Sequence, residues 1–271
     1  MKRFAWWNHY GSLGPASVTA RALAARLDCV IIKAGFSNVR NTLIDYGIPW
    51  ATEIYAYPSR IDEQVALVKH DISAHATSVV INAEVEWEET DAPAMTELIR
   101  KLRGAGAATL YACTDTRGDR MAKPYQRVMA ALCDGWMPMI YPGAFQQTTA
   151  RAFAASLDER MGTAPNGINF RGKPVIPAIQ TYGGIGAASV TLQIAECERR
   201  RLAGFGAYTI GHATAAEWDA VAASAPVVED KGPDIGQLNK AGDIFATCTL
   251  HALRGEQLPA AVAGAARWLM Q

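Results

Sequence analysis

Residues 78–89 read Ser-Val-Val-Ile-Asn-Ala-Glu-Val-Glu-Trp-Glu-Glu, an apolar run that passes directly into acids. Successive side chains of a strand point to opposite faces, so an extended chain here places Asn82, Glu84 and Glu86 on one face. Carboxylates desolvated next to Val79, Val80 and Ile81 are costly unless they have partners or a task. The task that suits them is acid–base chemistry at a glycosidic bond, where one carboxyl protonates the leaving oxygen and a second serves the opposite side of the reacting carbon. Glu84 is the expected general acid, because burial raises a carboxyl pKa unless Lys33 or an amide offsets it. Glu86 or Asp115 is the expected second carboxylate. Residues two apart on a strand are separated by roughly 6.5–7 Å, which leaves both a retaining and an inverting mechanism open.

Positioning these groups requires strands that end together. Apolar runs of strand length alternate along the chain with amphipathic segments of helix length, the pattern of βα units in an α/β fold. Strands are expected at Phe4–Trp7, Cys29–Ala34, Pro49–Tyr57, Ser78–Glu84, Ala108–Cys113, Gly135–Tyr141, Pro174–Ile179 and Gly204–Ile210. Helices are expected near 15–27, 38–46, 60–75, 91–104, 119–132, 147–161, 187–200 and 214–224, with Ser59, Asp91 and Thr214 placed as caps. Eight such units over residues 1–224 predict a closed (β/α)8 TIM barrel. Residues 225–271 open with a turn-rich connector, Pro226–Pro233, and are expected to form a helical extension packed on the barrel wall or offered to a partner. A doubly wound open sheet fits less well, since the turn at residues 8–15 lacks the Gly-x-Gly-x-x-Gly spacing that brings backbone against a pyrophosphate. The Gly183-Gly184-Ile185-Gly186 cluster reads as a flexible loop, with phosphate holding as the alternative.

In a parallel barrel the C-terminal strand ends converge on one face, where function concentrates. The polar residues expected there are Asn8, His9, Lys33, Glu53, Tyr55, Asn82, Glu84, Glu86, Asp115, Tyr141, Gln180, Tyr182, Tyr208 and His212. Acids, amides and aromatic rings with few fixed cations suit a neutral polyhydroxylated ligand. Asn82 and Gln180 are expected to orient a sugar, and Tyr141, Tyr182 and Tyr208 to line the cleft. Lys33, Glu53, Tyr55 and His212 complete the substrate-binding set, although Lys33 serves equally well as an ion-pair partner of Glu53 or Glu84. Trp87 and Trp136, near strand ends, are candidate sugar platforms, while Glu88 and Glu89 belong to a solvated loop.

Composition narrows the partners. The chain has 26 basic and 26 acidic residues in 271, so it carries no electrostatic footprint for nucleic acid or an anionic membrane. Its five cysteines are scattered and form no Cys-x-x-Cys pair, which reads as reduced, mostly buried thiols. No cofactor or metal is expected: His70 and His75 lie five apart, without ligand spacing. Neither Gly-x-Ser-x-Gly nor an evident histidine partner for Cys113 supports a nucleophilic triad. With no signal-peptide run and no apolar stretch of roughly 18 residues, the chain is expected to be cytoplasmic when made, with action at the cell envelope left open. Oligomeric state is not readable.

Three stretches together, Cys29-Val-Ile-Ile-Lys33-Ala-Gly35, Trp50 to Tyr57 followed by the helix from Asp62, and Ile81-Asn82-Ala83-Glu84-Val85-Glu86, resemble the barrel hydrolases of the family-25 lysozyme (muramidase) type. More loosely they are similar to family-18 chitinase-type barrels. The resemblance covers mainly residues 29–90 and implies a metal-independent hydrolase acting on peptidoglycan or another amino-sugar polysaccharide. It puts Glu84 where those families keep the catalytic acid and Asn82 where they keep an aspartate. An amide cannot supply the charge that stabilises an oxazolinium-like intermediate, though it can orient an N-acetyl group. The alternative is therefore a catalytically inactive barrel, serving as a carbohydrate-binding or structural component of a phage-like or secreted assembly.

Overall fold

The computed structural model describes residues 1–7, 13–87, 92–117, 123–159, 170 and 172–224. Asn8, His9, Glu88, Glu89, Asp91, Cys248 and the expected 225–271 extension lie outside the described residues.

Parallel strands β1 (Lys2–Trp7), β2 (Cys29–Lys33), β3 (Trp50–Tyr55), β4 (Val79–Ala83), β5 (Leu110–Asp115), β6 (Gly135–Ile140), β7 (Ala178–Gln180) and β8 (Gly204–Tyr208) pair in chain order, and β8 returns to β1. Between and after them lie α1 (Pro15–Ala24), α2 (Ser37–Asp45), α3 (Ile61–Ser73), α4 (Ala92–Gly104), α5 (Pro124–Leu132), α6 (Thr149–Phe153, continued by a π-helical turn over Ala154–Asp158), α7 (Ala187–Arg199) and α8 (Ala215–Ala223). The chain is a (β/α)8 barrel.

Strand alternation divides the apolar residues into two cores. Val30, Ile32, Ile54, Val79 and Ile81 point outward beneath the helices, whereas Phe4, Trp6, Ile31, Val80, Cys113 and Met137 fill the barrel. The interior closes by pairing large with small side chains. A Cβ at Gly206 would sit 2.2 Å from the Trp6 ring, and one at Gly135 would sit 2.6 Å from the Tyr111 ring, so both glycines make room for an aromatic neighbour.

One buried charge ties the wall together. Asp71 of α3 accepts from Thr52 Oγ1 of β3 at 2.7 Å, from the Gly35 amide at 3.2 Å and from Arg40 of α2 at 3.2 Å. The helix–strand contact is thereby fixed in register, with the carboxylate paired rather than stranded.

Three local expectations differ. Strand β7 is shorter than Pro174–Ile179, because Pro174 and Pro177 have no N–H for the ladder and only a Trp136–Val175 bridge precedes Ala178. Ser59 lies in a 3₁₀ turn, Pro58–Arg60, and does not cap α3. Strand β4 stops at Ala83, and Val85–Trp87 forms a 3₁₀ turn closed by the Trp87 amide on the Glu84 carbonyl. Buried Trp87 draws that turn inward by donating its indole N–H to the Ala56 carbonyl at 2.7 Å. Alternation therefore ends before Glu84, and the single extended face expected for Asn82, Glu84 and Glu86 does not form. Thr214, in contrast, caps α8 in a capping box with Glu217.

Candidate functional site

At the C-terminal end of the barrel a cavity of about 330 Å³ is lined by Asn82 of β4 and Glu84 after it, Cys113 and Asp115 of β5 and Arg117 after it, Met139 of β6 with Tyr141, Ala144 and Phe145 beyond it, Tyr182 after β7, and Tyr208 of β8. Register explains the gathering. Asn82 is opposite Cys113, Asp115 opposite Met139, and Gln180 opposite Tyr208, so inward-facing side chains of neighbouring strands meet at one level.

The lining combines acids with aromatic rings. The Asp115 carboxylate is bracketed by Arg117: the Arg117 amide donates to Oδ1 at 2.9 Å, Nε to Oδ1 and Oδ2 at 3.1 and 3.0 Å, and Nη2 to Oδ2 at 2.6 Å. Asp115 is buried and Arg117 exposed; the guanidinium lies 5.0 Å from the Phe145 ring centroid, and its pKa is raised chiefly by the Asp115 hydrogen bond. Among the rings, Tyr141 stacks on Tyr208 with centroids 5.5 Å apart, and Tyr182 meets both edge-on at 5.7 and 5.9 Å. Burial pushes the phenols of Tyr141 and Tyr182 upward in pKa, so they remain neutral donors near pH 7.

A polar layer supports this cavity without lining it. Glu53 of β3 is buried and paired in register with Lys33 of β2. Burial pushes its carboxyl up to about 7; Glu84 adds to the rise, while the Asn82 amide, the Trp6 indole and Lys33 pull it back. Glu53 is thus a strongly displaced acid. Tyr55 donates to Glu86 Oε1 at 3.1 Å, engaging the first candidate for second carboxylate beside β3. Gln180 is buried, with Oε1 accepting from the Gly143 and Ala144 amides at 2.9 and 3.2 Å and Nε2 donating to the Tyr182 carbonyl at 3.1 Å. A Cβ at Gly143 would sit 3.0 Å from Ile185 and 3.1 Å from Gln180 Oε1, so the loop beyond β6 seats tightly on the amide.

Of the residues picked from the sequence, Asn82, Glu84, Asp115, Tyr141, Tyr182 and Tyr208 meet at the cavity. Lys33, Glu53, Tyr55, Glu86 and Gln180 belong to the supporting layer. His212 is exposed and outside the lining. Trp87 and Trp136 are fully buried and offer no platform: Trp136 stacks on Phe170 at 4.8 Å and donates to Thr114 Oγ1. Arg117, Met139, Ala144 and Phe145 were not anticipated. Arg117 alone left a signal, an opposite charge two residues beyond Asp115.

Among the described residues no group of three or more His, Cys, Asp or Glu side chains is arranged to hold a metal ion, and no helix is long and apolar enough to cross a membrane. Cys29, Cys113, Cys133 and Cys197 are buried free thiols. Burial pushes Cys29 and Cys133 up to about 12 and Cys113 well above its ordinary value, which leaves them poor nucleophiles.

No family model matches the chain, and no curated protein matches it in sequence. Solved structures do match in fold. A chitinase from Chromobacterium violaceum ATCC 12472 superposes with a TM-score of 0.57 at 15% identity, over 83% of this chain and 99% of that one. A class V chitinase from Pseudomonas fluorescens Pf-5 gives 0.55 at 12% identity, over 81% and 98%. In fold, the chain is similar to chitinase barrels. The similarity follows the looser, chitinase-type resemblance seen in the sequence and gives no support to the family-25 lysozyme type. At these identities it speaks for the barrel, and the residues must speak for the chemistry.

Proposed function

We propose that the barrel hydrolyses a glycosidic bond in an amino-sugar polysaccharide, such as chitin or the glycan of a cell wall. The observation that carries this reading is one cavity holding Glu84 and the Asp115–Arg117 pair against three tyrosines. A sugar ring laid on the tyrosines exposes its hydroxyls to the phenols and its glycosidic oxygen to an acid. Glu84 gives its proton to that oxygen as the bond to the anomeric carbon breaks; water then adds at the carbon and gives up a proton to the Glu84 carboxylate, which restores the acid. Asp115, hydrogen-bonded and ion-paired to Arg117, faces the positive charge that develops there. The chitinase-like fold supports the substrate class.

A binding-only role has one specific observation in its favour: Asn82 occupies the position of a potential carboxylate, while Asp115 and Glu86 both carry side-chain partners. Glu84→Gln separates the two. The hydrolase reading expects reducing-end release from chitin and peptidoglycan by the wild type, and a fall of about 10²-fold or more in the variant with folding and glycan binding retained. Absence of sugar release by the wild type across a broad glycan panel would overturn it in favour of binding alone.

A further inference from the structure

Arg117 meets Asp115 with only part of its guanidinium. Along one edge Nε donates to both carboxylate oxygens, at 3.1 and 3.0 Å, and Nη2 donates to Oδ2 at 2.6 Å. The Phe145 ring lies on the group as well, its centroid 5.0 Å from the guanidinium carbon. A guanidinium has more N–H donors than one carboxylate can take, and Nη1 has no hydrogen-bond partner among the described residues. The two side chains differ sharply in exposure, 4% for Asp115 and 53% for Arg117, so the inner edge of the pair is closed and the outer edge open. Arg117 is also the one cation among the described residues that line the cavity.

Neutralising Asp115 does not by itself call for this arrangement. The Arg117 backbone amide already donates to Oδ1 at 2.9 Å, and a lysine ammonium would supply the same charge. What arginine adds is a planar fork, whose orientation is set once Nε and Nη2 are engaged and a ring lies on it. Its remaining donors, on Nη1 and the second Nη2 hydrogen, form an edge that matches a carboxylate. We propose that Arg117 is a specificity-determining residue, its outer edge binding a carboxylate carried by the sugar, so that the glycan this cavity takes is acidic. The inference rests on the glycan-site reading and departs from the neutral ligand expected from the sequence, where Arg117 was not among the site residues.

The charges of the lining are compatible with such a ligand. Glu84, Asp115 and Arg117 are its ionic groups among the described residues. Asp115 and Arg117 offset one another, and Glu84 carries a proton when it is ready to act as an acid, so an incoming carboxylate meets no net negative charge. Tyr141, Tyr182 and Tyr208 add phenol groups that can donate to further oxygens of the sugar. An ionised Glu84 would repel the same carboxylate, which makes Glu84→Gln, neutral and without an acid to give, the background in which binding is best measured.

Oligosaccharides of equal length provide the test. A chitin tetramer is neutral, a hyaluronan tetramer carries uronic acid carboxylates, and a tetramer of peptide-free peptidoglycan strand carries its carboxylates on lactyl ethers. Each acidic tetramer is also prepared as its carboxamide, which keeps the size and removes the charge. By calorimetry on the full-length Glu84→Gln protein, one acidic tetramer should bind about tenfold or more tighter than its carboxamide and than chitin, as a hydrogen bond to a charged group requires. Which of the two does so locates the carboxylate on the sugar. Adding Arg117→Gln should remove the preference, and Arg117→Lys, which keeps the charge without the fork, should restore part of it. Equal binding of carboxylate and carboxamide, no binding of either acidic tetramer, tighter binding of chitin, or a preference that survives Arg117→Gln would overturn the proposal. If Arg117→Gln fails to fold, the carboxylate and carboxamide forms are compared as salt is raised, and a preference that does not shrink with screening would overturn it. Carboxylate-selective binding with no sugar release by the wild type would sustain the acidic specificity while sinking the hydrolase reading; sugar release from chitin without any carboxylate preference would do the reverse.

Discussion

Replacing Glu53 with glutamine should remove a pH dependence of stability that the wild type carries between pH 4.5 and about 7. The carboxyl is displaced upward from an ordinary 4.5 to about 7, first by burial and then by Glu84. Within that interval the native state holds a proton that the unfolded chain has released, so raising the pH favours unfolding. Below 4.5 both states are protonated and the contribution is full; above 7 both are ionised and the loss is complete. At about 1.4 kcal/mol for each tenfold change in acidity, the displacement corresponds to about 3 kcal/mol. In a barrel of this size that is about 6–12 °C in Tm. Urea denaturation of wild type and Glu53→Gln in parallel, at intervals from pH 4.5 to 8, isolates the effect because other titrating groups largely cancel. The stability of the variant relative to wild type should climb by about 3 kcal/mol across the series. A difference that stays constant, or that falls as pH rises, would refute the assignment of a desolvated, protonated acid to this position.

Other tests address the frame around the site. Asp71→Ala should cost about 3–5 kcal/mol by denaturant titration, since it strands Arg40 and leaves the Thr52 hydroxyl and Gly35 amide without their acceptor. Gly206→Ala should cost about 1–3 kcal/mol, because its Cβ would meet the Trp6 ring at 2.2 Å; adding Trp6→Phe should recover part of that loss in the same measurement. Thr214→Ala should cost about 1 kcal/mol by removing the α8 cap. Burial opposes ionisation of Glu217, but the Thr214 and Gly186 amides prevail and hold its pKa below the usual carboxylate range. Its stabilisation is therefore present above that range and is lost on acidification, so the wild-type and Thr214→Ala unfolding curves should draw together at low pH.

The barrel was legible because its signal is repeated and local. Val79-Val80-Ile81, Cys29-Val30-Ile31-Ile32 and Leu110-Tyr111-Ala112 are strands in any context that buries them, and the intervening amphipathic segments leave parallel pairing as the natural topology. Asn82, Glu84, Asp115, Tyr141, Tyr182 and Tyr208, picked from the strand ends, line one cavity. It failed at the strand ends themselves. Alternation carried past Ala83 put Glu86 beside Glu84, but the buried Trp87 bends the chain into a 3₁₀ turn and Tyr55 takes the Glu86 carboxylate. Trp87 and Trp136 were misplaced for a related reason, since a tryptophan near a strand end has the same composition whether it faces a ligand or the helices.

Residue type and spacing thus determined the barrel and picked out several side chains that line its cavity, because strand alternation and helix amphipathicity act over a few residues at a time. That Glu53 is a displaced acid was decided only in three dimensions. Nothing along the chain marks Glu53 for this, and what acts on it comes from other strands: Lys33, Trp6, Asn82 and Glu84. Desolvation and Coulomb interactions depend on distances through space, and closure of the barrel sets those distances.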